Sequence, residues 1–240
     1  MDAYHAFLSD FLSGHQISLW GVADLQELDP MQRQGLPYGI CFAIALAVFP
    51  NTGNASEAYY REYRALNQRL KEIGYALEEA ILAKGFRAYS LARNRQSDDY
   101  RTPLPFKTLA TRAGLGWIGK SSLLVTREYG SAVRLHGVLT DLPLIPNEPI
   151  AHSLCGNCRA CADACPGRAI SGRDWHIGTD RDELIDPYAC KQTVIERGKE
   201  MGVTVGSCGI CVAVCPWTKR YIKQKTAENL GGCKEKDELP

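Results

Sequence analysis

The sequence predicts an α+β protein in two parts, an α/β domain followed by a smaller cysteine-rich domain. Three observations predict it. Helix-like and strand-like stretches alternate up to about residue 143, the pattern of an α/β unit. The proline-rich segment PLIPNEP at 143–149 then breaks the alternation. Eight of the ten cysteines fall between Cys155 and Cys215, leaving Cys41 and Cys233 apart. The divisions are 1–150, 151–222 and a polar tail at 223–240.

Residues 3–13 read as a short helix and ISLWGVADL (17–25) as a strand. The apolar run at 39–49 reads as a buried strand ended by Pro50 and the turn-prone NTGN. A long helix follows, because Tyr59, Tyr63, Leu66, Leu70, Ile73, Leu77 and Ile81 recur at steps of three and four. Gly85 suits its C-terminal end, and FRAYSLA (86–92) reads as another strand. The polar stretch RNRQSDDYRTPLP is a loop, and PFKTLATRAG (105–114) is helix-like. SLLVT and SAVRLHGVLTDL are rich in β-branched residues and read as strands separated by EYG. The segment KQKTAENLGGCKEKDELP reads as a loose tail.

Apolar residues make up 45% and charged residues 23%, the make-up of a globular protein with a proper core. A net charge of +1 gives no global field for nucleic acid or membrane. The start MDAYHAFLSDFLSGH has no basic opening and no twin arginine, so a cytoplasmic location is expected. The longest apolar run, ICFAIALAVF, is well short of the roughly 20 residues of a membrane helix, so no membrane partner is expected.

Clustered cysteines without an export signal point to metal rather than disulfides. CGNCRACADACP (155–166) has the spacing C-x2-C-x2-C-x3-C-P of bacterial ferredoxins, which holds a 4Fe–4S cluster. In that pattern the fourth cysteine serves the other cluster of a two-cluster protein. CGICVAVCP (208–216) is the same run short of one cysteine, and Cys190 in DPYACKQ supplies it. The ligands then divide into Cys155, Cys158, Cys161 and Cys215 for the first cluster, and Cys165, Cys190, Cys208 and Cys211 for the second. Structural zinc also uses C-x2-C pairs, but it has no use for a third cysteine three residues on or for two C-P endings. The fold expected is an N-terminal α/β cofactor domain followed by a two-cluster bacterial ferredoxin-like domain. Cys41 reads as a small buried hydrophobe, and Cys233 is given no role.

GLGWIGKS (114–121) fits the phosphate-loop pattern G-x-x-x-x-G-K-[ST] letter for letter. Its flanks do not fit. Helical spacing with Lys107 and Arg112 precedes it, and a short β-like run follows it where a helix would face phosphates. Together with TDLPL and the cysteine runs ending in CPW (215–217), AGLGWIGKSSLLVTREYGS (113–131) resembles epoxyqueuosine reductase. The part from YGSAVRLHGVLTDL to CGNCRACADACPGRAI also resembles the C-terminal half of corrinoid reductive dehalogenases. The resemblance implies an α/β cobalamin-binding domain joined to a two-cluster ferredoxin domain. Electrons from a low-potential donor such as ferredoxin or flavodoxin would pass through both 4Fe–4S clusters to the corrinoid cobalt, which acts on the substrate.

The resemblance implies roles position by position. Gly114, Gly116, Gly119 and Lys120 match the stretch beside the corrinoid and a cluster, where glycine allows close backbone approach and Lys120 can donate to an anionic group. The family's proton-donating aspartate is replaced by Tyr100, its glutamate by Phe106 and its arginine by Lys107. Asp99 lies one residue out of register. Tyrosine is the proton donor in the dehalogenases, so Tyr100 and Asp99 are the catalytic candidates. DWHIGT (174–179) misses the D-x-H-x-x-G corrinoid motif by one position, leaving His176 a loop histidine. Seven Lys or Arg between residues 87 and 120, against Asp98 and Asp99, suit an anionic cofactor or substrate. Arg134, charged within a strand-like run, is a further cofactor-binding candidate. The expected activity is reduction of a small or nucleoside substrate. A non-catalytic electron carrier or reductive activator of a corrinoid protein, and a minimal epoxyqueuosine reductase acting on tRNA, are the alternatives.

Overall fold

The fold was analysed as a computed structural model, which describes residues 3–203 and 206–229. Its centre is a four-stranded sheet in the order β1-β2-β6-β3, formed by Leu19–Asp24, Tyr38–Ala45, Val133–Thr140 and Ala88–Ser90. Every pairing in it is antiparallel. The α/β label taken from alternation therefore describes an antiparallel α+β layer, because helices of the first half cover the sheet without making parallel crossovers.

The sheet is central because β2 and β6 are apolar on both sides. Ile40, Phe42 and Ile44 of β2 face one core, and Cys41 and Ala43 face the other. Against the first face pack α1 (Ala3–Gly14) and α2 (Glu57–Leu82), through Leu8, Leu12, Leu70, Ile73, Leu77 and Ile81. Ser56 starts α2 by accepting from the Tyr59 N–H at 3.2 Å, as a serine N-cap does. Gly85 follows its end with φ +85°, a left-handed position that suits glycine. The other face carries α3 (Phe106–Arg112), whose Leu109 and Ala110 are fully buried with Leu139.

Three expected elements differ. FRAYSLA supplies only β3 and then a single 3-10 turn at Leu91–Arg93, where the Ser90 hydroxyl accepts from the Ala92 N–H. SLLVT does not join the main sheet; β4 (Trp117–Ile118) and β5 (Leu124–Val125) form a small separate hairpin. The tail is also not loose from its start. A helix runs over Pro216–Asn229, with Tyr221 against Phe49 and Tyr129 and its hydroxyl donating to Leu46 O at 3.0 Å. Cys233 lies outside the described residues.

PLIPNEP is held against the sheet edge. Asn147 donates its N–H to Val22 O at 2.8 Å and accepts the Val22 N–H on its side chain at 2.7 Å. Beyond it come four short helices, α4 (Ala160–Asp163), α5 (Arg181–Leu184), α6 (Pro187–Glu200) and α7 (Ile210–Ala213), and then α8 (Pro216–Asn229). No helix among the described residues is long and apolar enough to cross a membrane.

Candidate iron–sulfur centres and the cavity beside them

Each ferredoxin-type run folds as a turn followed by one helical turn, α4 after Cys158 and α7 after Gly209. Such turns bring cysteines three apart onto one side of the chain. Gly209 takes φ +72°, and a side chain there would strike Pro50 and Tyr59 at 2.5 and 2.7 Å, so α7 seats against the first half only with glycine at its start.

The structure collects the cysteines in two groups. Cys155, Cys158, Cys161 and Cys215 line one small space together with Gly119, Lys120 and Trp217, and Cys211 reaches its edge. Burial raises the Cys161 thiol to about 11, with the neighbouring charges of Cys155, Cys215 and Cys158 adding to the rise. Cys165, Cys190, Cys208 and Cys211 line a second, larger space. There burial pushes Cys190 up first, followed by the charges of Cys165 and Cys208. Burial likewise raises Cys211, followed by Cys190 and Cys208. Each set gathers four sulfurs that a shared cationic centre would hold as thiolates, the chemistry of a cluster site. Among the described residues, no three His, Cys, Asp or Glu close into the shell of a single metal ion. Zinc would need its sulfurs about 3.8 Å apart, from bonds of about 2.3 Å. The thiols of a 4Fe–4S cube, each on a different iron, stand farther apart.

The glycine-lysine stretch belongs to the first group. Lys120 is 6% exposed. Its Nζ donates to Gly156 O at 2.7 Å and stands 3.6 Å from Asp174 Oδ1, so it ties down the loop carrying Cys155 and Cys158. A Cβ on Gly119 would come 2.8 Å from Val125 Cγ2 and 3.4 Å from Cys155 Sγ, so glycine lets the chain run beside that sulfur. Gly116 passes Val125 O, and Gly114, at φ +70°, passes Glu148 O; both are tight backbone crossings. None of these four residues lines the larger space. Trp117 Nε1 donates to Cys155 Sγ at 3.4 Å and packs edge-on against Trp217, 5.2 Å between ring centres.

The larger space is a cavity of about 1070 Å³ that runs from the second cysteine group to the loop before α3. Tyr100 lines it. Its backbone takes φ +62°, uncommon for a large side chain. The Ser97 carbonyl accepts its N–H at 2.9 Å, and its ring meets Tyr188 of α6, two residues before Cys190, at 5.5 Å. Asp99 lies outside the lining. The Ser97 hydroxyl first, and Arg101 after it, hold its carboxyl below the usual range. It is therefore an ionised acceptor near neutrality, with no proton to give. His176 is exposed, with Nδ1 2.8 Å from Ile177 O.

Two further groups line the cavity: Lys107, which the resemblance put in place of the family's arginine without a role, and a pair of tyrosines that the sequence reading of the site missed. Lys107 contacts the Ser122 carbonyl and, at 3.1 Å, its hydroxyl. Burial, with Arg181 nearby, lowers it to about 8, while Cys190 opposes the shift. Tyr59 and Tyr63 also line the cavity. Their helical spacing with Leu66 and Leu70 reads as a core stripe, and both do pack in a small core cluster with Leu46, Ala132 and Val212 while also lining the cavity.

Residues 154–218 match the model of the 4Fe-4S double cluster binding domain. The chain is 37% identical over 236 residues to the epoxyqueuosine reductase of Synechococcus sp. (strain CC9605), covering 90% of this chain and 67% of that protein. The chain belongs to the epoxyqueuosine reductase family. It spans about half the length of other curated epoxyqueuosine reductases, 45% of the Vibrio cholerae protein and 49% of the Escherichia coli one. A solved epoxyqueuosine reductase with a tRNA-Tyr epoxyqueuosine-modified stem loop superposes with TM-score 0.56 at 19% identity, over 90% of this chain and 66% of that one. A catabolic reductive dehalogenase in complex with 3-bromo-4-hydroxybenzoic acid gives TM-score 0.64 at 18% identity, over 89% of this chain and 34% of that one. These two show the shared fold. Family membership and the double-cluster match make this chain a 4Fe–4S protein with the eight ferredoxin-type cysteines inside the matched region.

Proposed function

We propose that the chain is an iron–sulfur oxidoreductase that reduces epoxyqueuosine with a corrinoid held in the large cavity. The observation that carries this reading is the shared wall of that cavity. One side is the second cysteine group, and the other is the Tyr100 loop with α3. At about 1070 Å³ the cavity exceeds the usual 300–1,000 Å³ of small-ligand sites, with part of it taken by the second cube. Cys155, Cys158, Cys161 and Cys215 would hold the first cluster and Cys165, Cys190, Cys208 and Cys211 the second. Bound there, the clusters supply single electrons from an external ferredoxin- or flavodoxin-class donor, and the corrinoid supplies a reactive cobalt centre.

This chain's own residues have separate tasks. Reducing an epoxide takes two electrons and two protons, and Tyr100, which lines the cavity, would give one of the protons. Asp99 holds the loop through Ser97 and Arg101. Lys120, Trp117 and Gly119 pack the first cluster, where N–H···S contacts tune a cluster's potential. The cavity lining contains five cations, Arg101, Lys107, Arg112, Arg134 and Arg181, and no Asp or Glu, which suits an anionic partner such as tRNA.

Anaerobic purification with iron, sulfide and corrinoid analysis tests the cofactors. About eight irons, as two cubes require, together with bound cobalamin support the reading; zinc in place of iron overturns it. Eight irons without a corrinoid after reconstitution support an electron carrier instead. With the loaded protein, turnover of epoxyqueuosine-containing tRNA is expected. Tyr100→Phe should lower it by roughly 10²–10⁴, the range for a lost general acid, and Asp99→Asn by much less. No turnover by the parent protein removes the substrate.

A further inference from the structure

Among the described residues, Arg134 is the cavity arginine without a carboxylate partner. Arg101 is held by Asp99, Asp180 and Asp182, Arg181 by Asp182, and Arg112 stands 3.6 Å from Glu27. Arg134 is the second residue of β6, paired with Ile44 of β2, and it lines the cavity. Its Nε donates to Asn67 Oδ1 of α2 at 2.9 Å, and its guanidinium lies 4.0 Å from the centre of the Tyr63 ring. Those contacts fix the plane and rotation of the group. The two Nη atoms have no acceptor among the described residues, and they form the edge that grips a carboxylate or phosphate with two parallel hydrogen bonds.

We infer that Arg134, oriented by Asn67 and Tyr63, is a preset clamp for a phosphate or carboxylate of the cavity's occupant. The inference rests on the reading of this cavity as the ligand site. It adds the ligand's chemistry at one place and the device that positions the group. A guanidinium stacked on an aromatic ring and fixed at Nε has already lost much of its rotamer freedom, so little more is lost when the anion arrives. The absence of Asp and Glu from the lining leaves no internal rival for that anion. Two sources carry such a group: the phosphate of a corrinoid's nucleotide loop, and the substrate itself.

The test uses the full chain with its clusters reconstituted anaerobically. Binding of cobalamin, and of cobinamide, which has the corrin ring without the phosphate-bearing loop, is measured by equilibrium dialysis. Thermal stabilisation by inorganic pyrophosphate is measured in parallel. If the clamp takes the cofactor's phosphate, Arg134→Gln weakens cobalamin by about tenfold or more, the size of a lost charge-assisted pair, and leaves cobinamide unchanged. If it takes a substrate anion, both corrinoids bind as before and the stabilisation by pyrophosphate disappears. Arg134→Lys, which keeps the charge without the fork, and Asn67→Ala, which frees Nε, should each recover only part of the parent's behaviour. All three ligands binding Arg134→Gln within twofold of the parent overturns the inference. Failure of the parent to bind either corrinoid removes the cobalamin reading alone, since the pyrophosphate arm still decides the role of Arg134.

Discussion

The two halves of the molecule stand up by different means. The first half has a sheet with large apolar side chains buried on both faces, Phe42, Ile40, Leu70, Leu77, Leu109 and Leu139 among them. From residue 151 on, the buried apolar residues are few and scattered, chiefly Ile170, Trp175, Leu184, Ile210 and Val212. Three of the helices there, α4, α5 and α7, have only four residues each. A region of that kind cannot offset its chain entropy by burial alone. The difference teaches that the cofactors of the second half are also its core, whereas the first half keeps its shape without them.

The largest expected effect breaks that comparison directly. Removing iron with a chelator under reducing conditions should abolish amide-exchange protection across residues 155–215 while leaving 38–45 and 133–140 protected, because metal binding free energy is folding free energy in such sites. Equal loss in both regions would contradict a self-sufficient sheet. The converse change is Phe42→Ala. It should destabilise the first half by about 3–5 kcal/mol, the usual effect of deleting a buried phenylalanine, read as a lower urea midpoint for the sheet amides. The iron content of folded protein should hold.

That contrast also explains how legible the sequence is. Cysteine spacing needs little tertiary knowledge, because Cys155, Cys158 and Cys161 of the first cluster, and Cys208 and Cys211 of the second, are three residues apart in the chain, and even Cys190 follows from the count. The Tyr59–Ile81 stripe places α2 for a similar reason, since its period survives any surroundings. The site is harder. Lys120 reads as a cofactor ligand from its motif, yet it is buried against Gly156 and Asp174, residues 36 and 54 positions away, by a chain crossing that no local pattern announces. Tyr63 lines the cavity and Asn67 meets Arg134 of β6 through contacts between α2 and a strand about 70 residues on, which no local pattern announces. Likewise, SLLVT has strand composition and no partner in the main sheet, so composition alone extends it too far.

A smaller effect sharpens the account of the sheet. His136 is 4% exposed, between the rings of Phe42 and Phe106, with Nε2 3.3 Å from the Ser90 hydroxyl. Burial first, and the charge of Lys71 second, lower it from 6.5 to about 4. The unfolded chain therefore binds a proton between those values that the folded chain refuses, so stability falls as pH drops from 6.5 towards 4. The contribution is on the order of 3 kcal/mol at most, from 1.36 kcal/mol for each pH unit. Urea unfolding of the sheet at pH 7 and pH 5 should show a larger loss for the parent than for His136→Gln. Equal losses would place the pH dependence elsewhere.

The smallest effect falls on the joint between the halves. Arg101 reaches from the Tyr100 loop to Asp180 and Asp182, 2.9 Å from each, while Arg181 donates back to Asp99 O at 2.9 Å. Arg101 remains 42% exposed. Ion pairs at that exposure contribute about 0.2–1 kcal/mol each, and salt screens them. Arg101→Gln should therefore change global stability by less than about 1 kcal/mol. Its local effect is different in kind, because Tyr100 stands at an unfavoured φ of +62° that only its surroundings maintain. Amides 97–101 should exchange faster in the variant, and 0.5 M salt should reproduce part of the change in the parent. If exchange in the loop is unmoved while the core is weakened, Arg101 serves the packing of the halves, and Tyr100 owes its place to Tyr188 and the Ser97 turn instead.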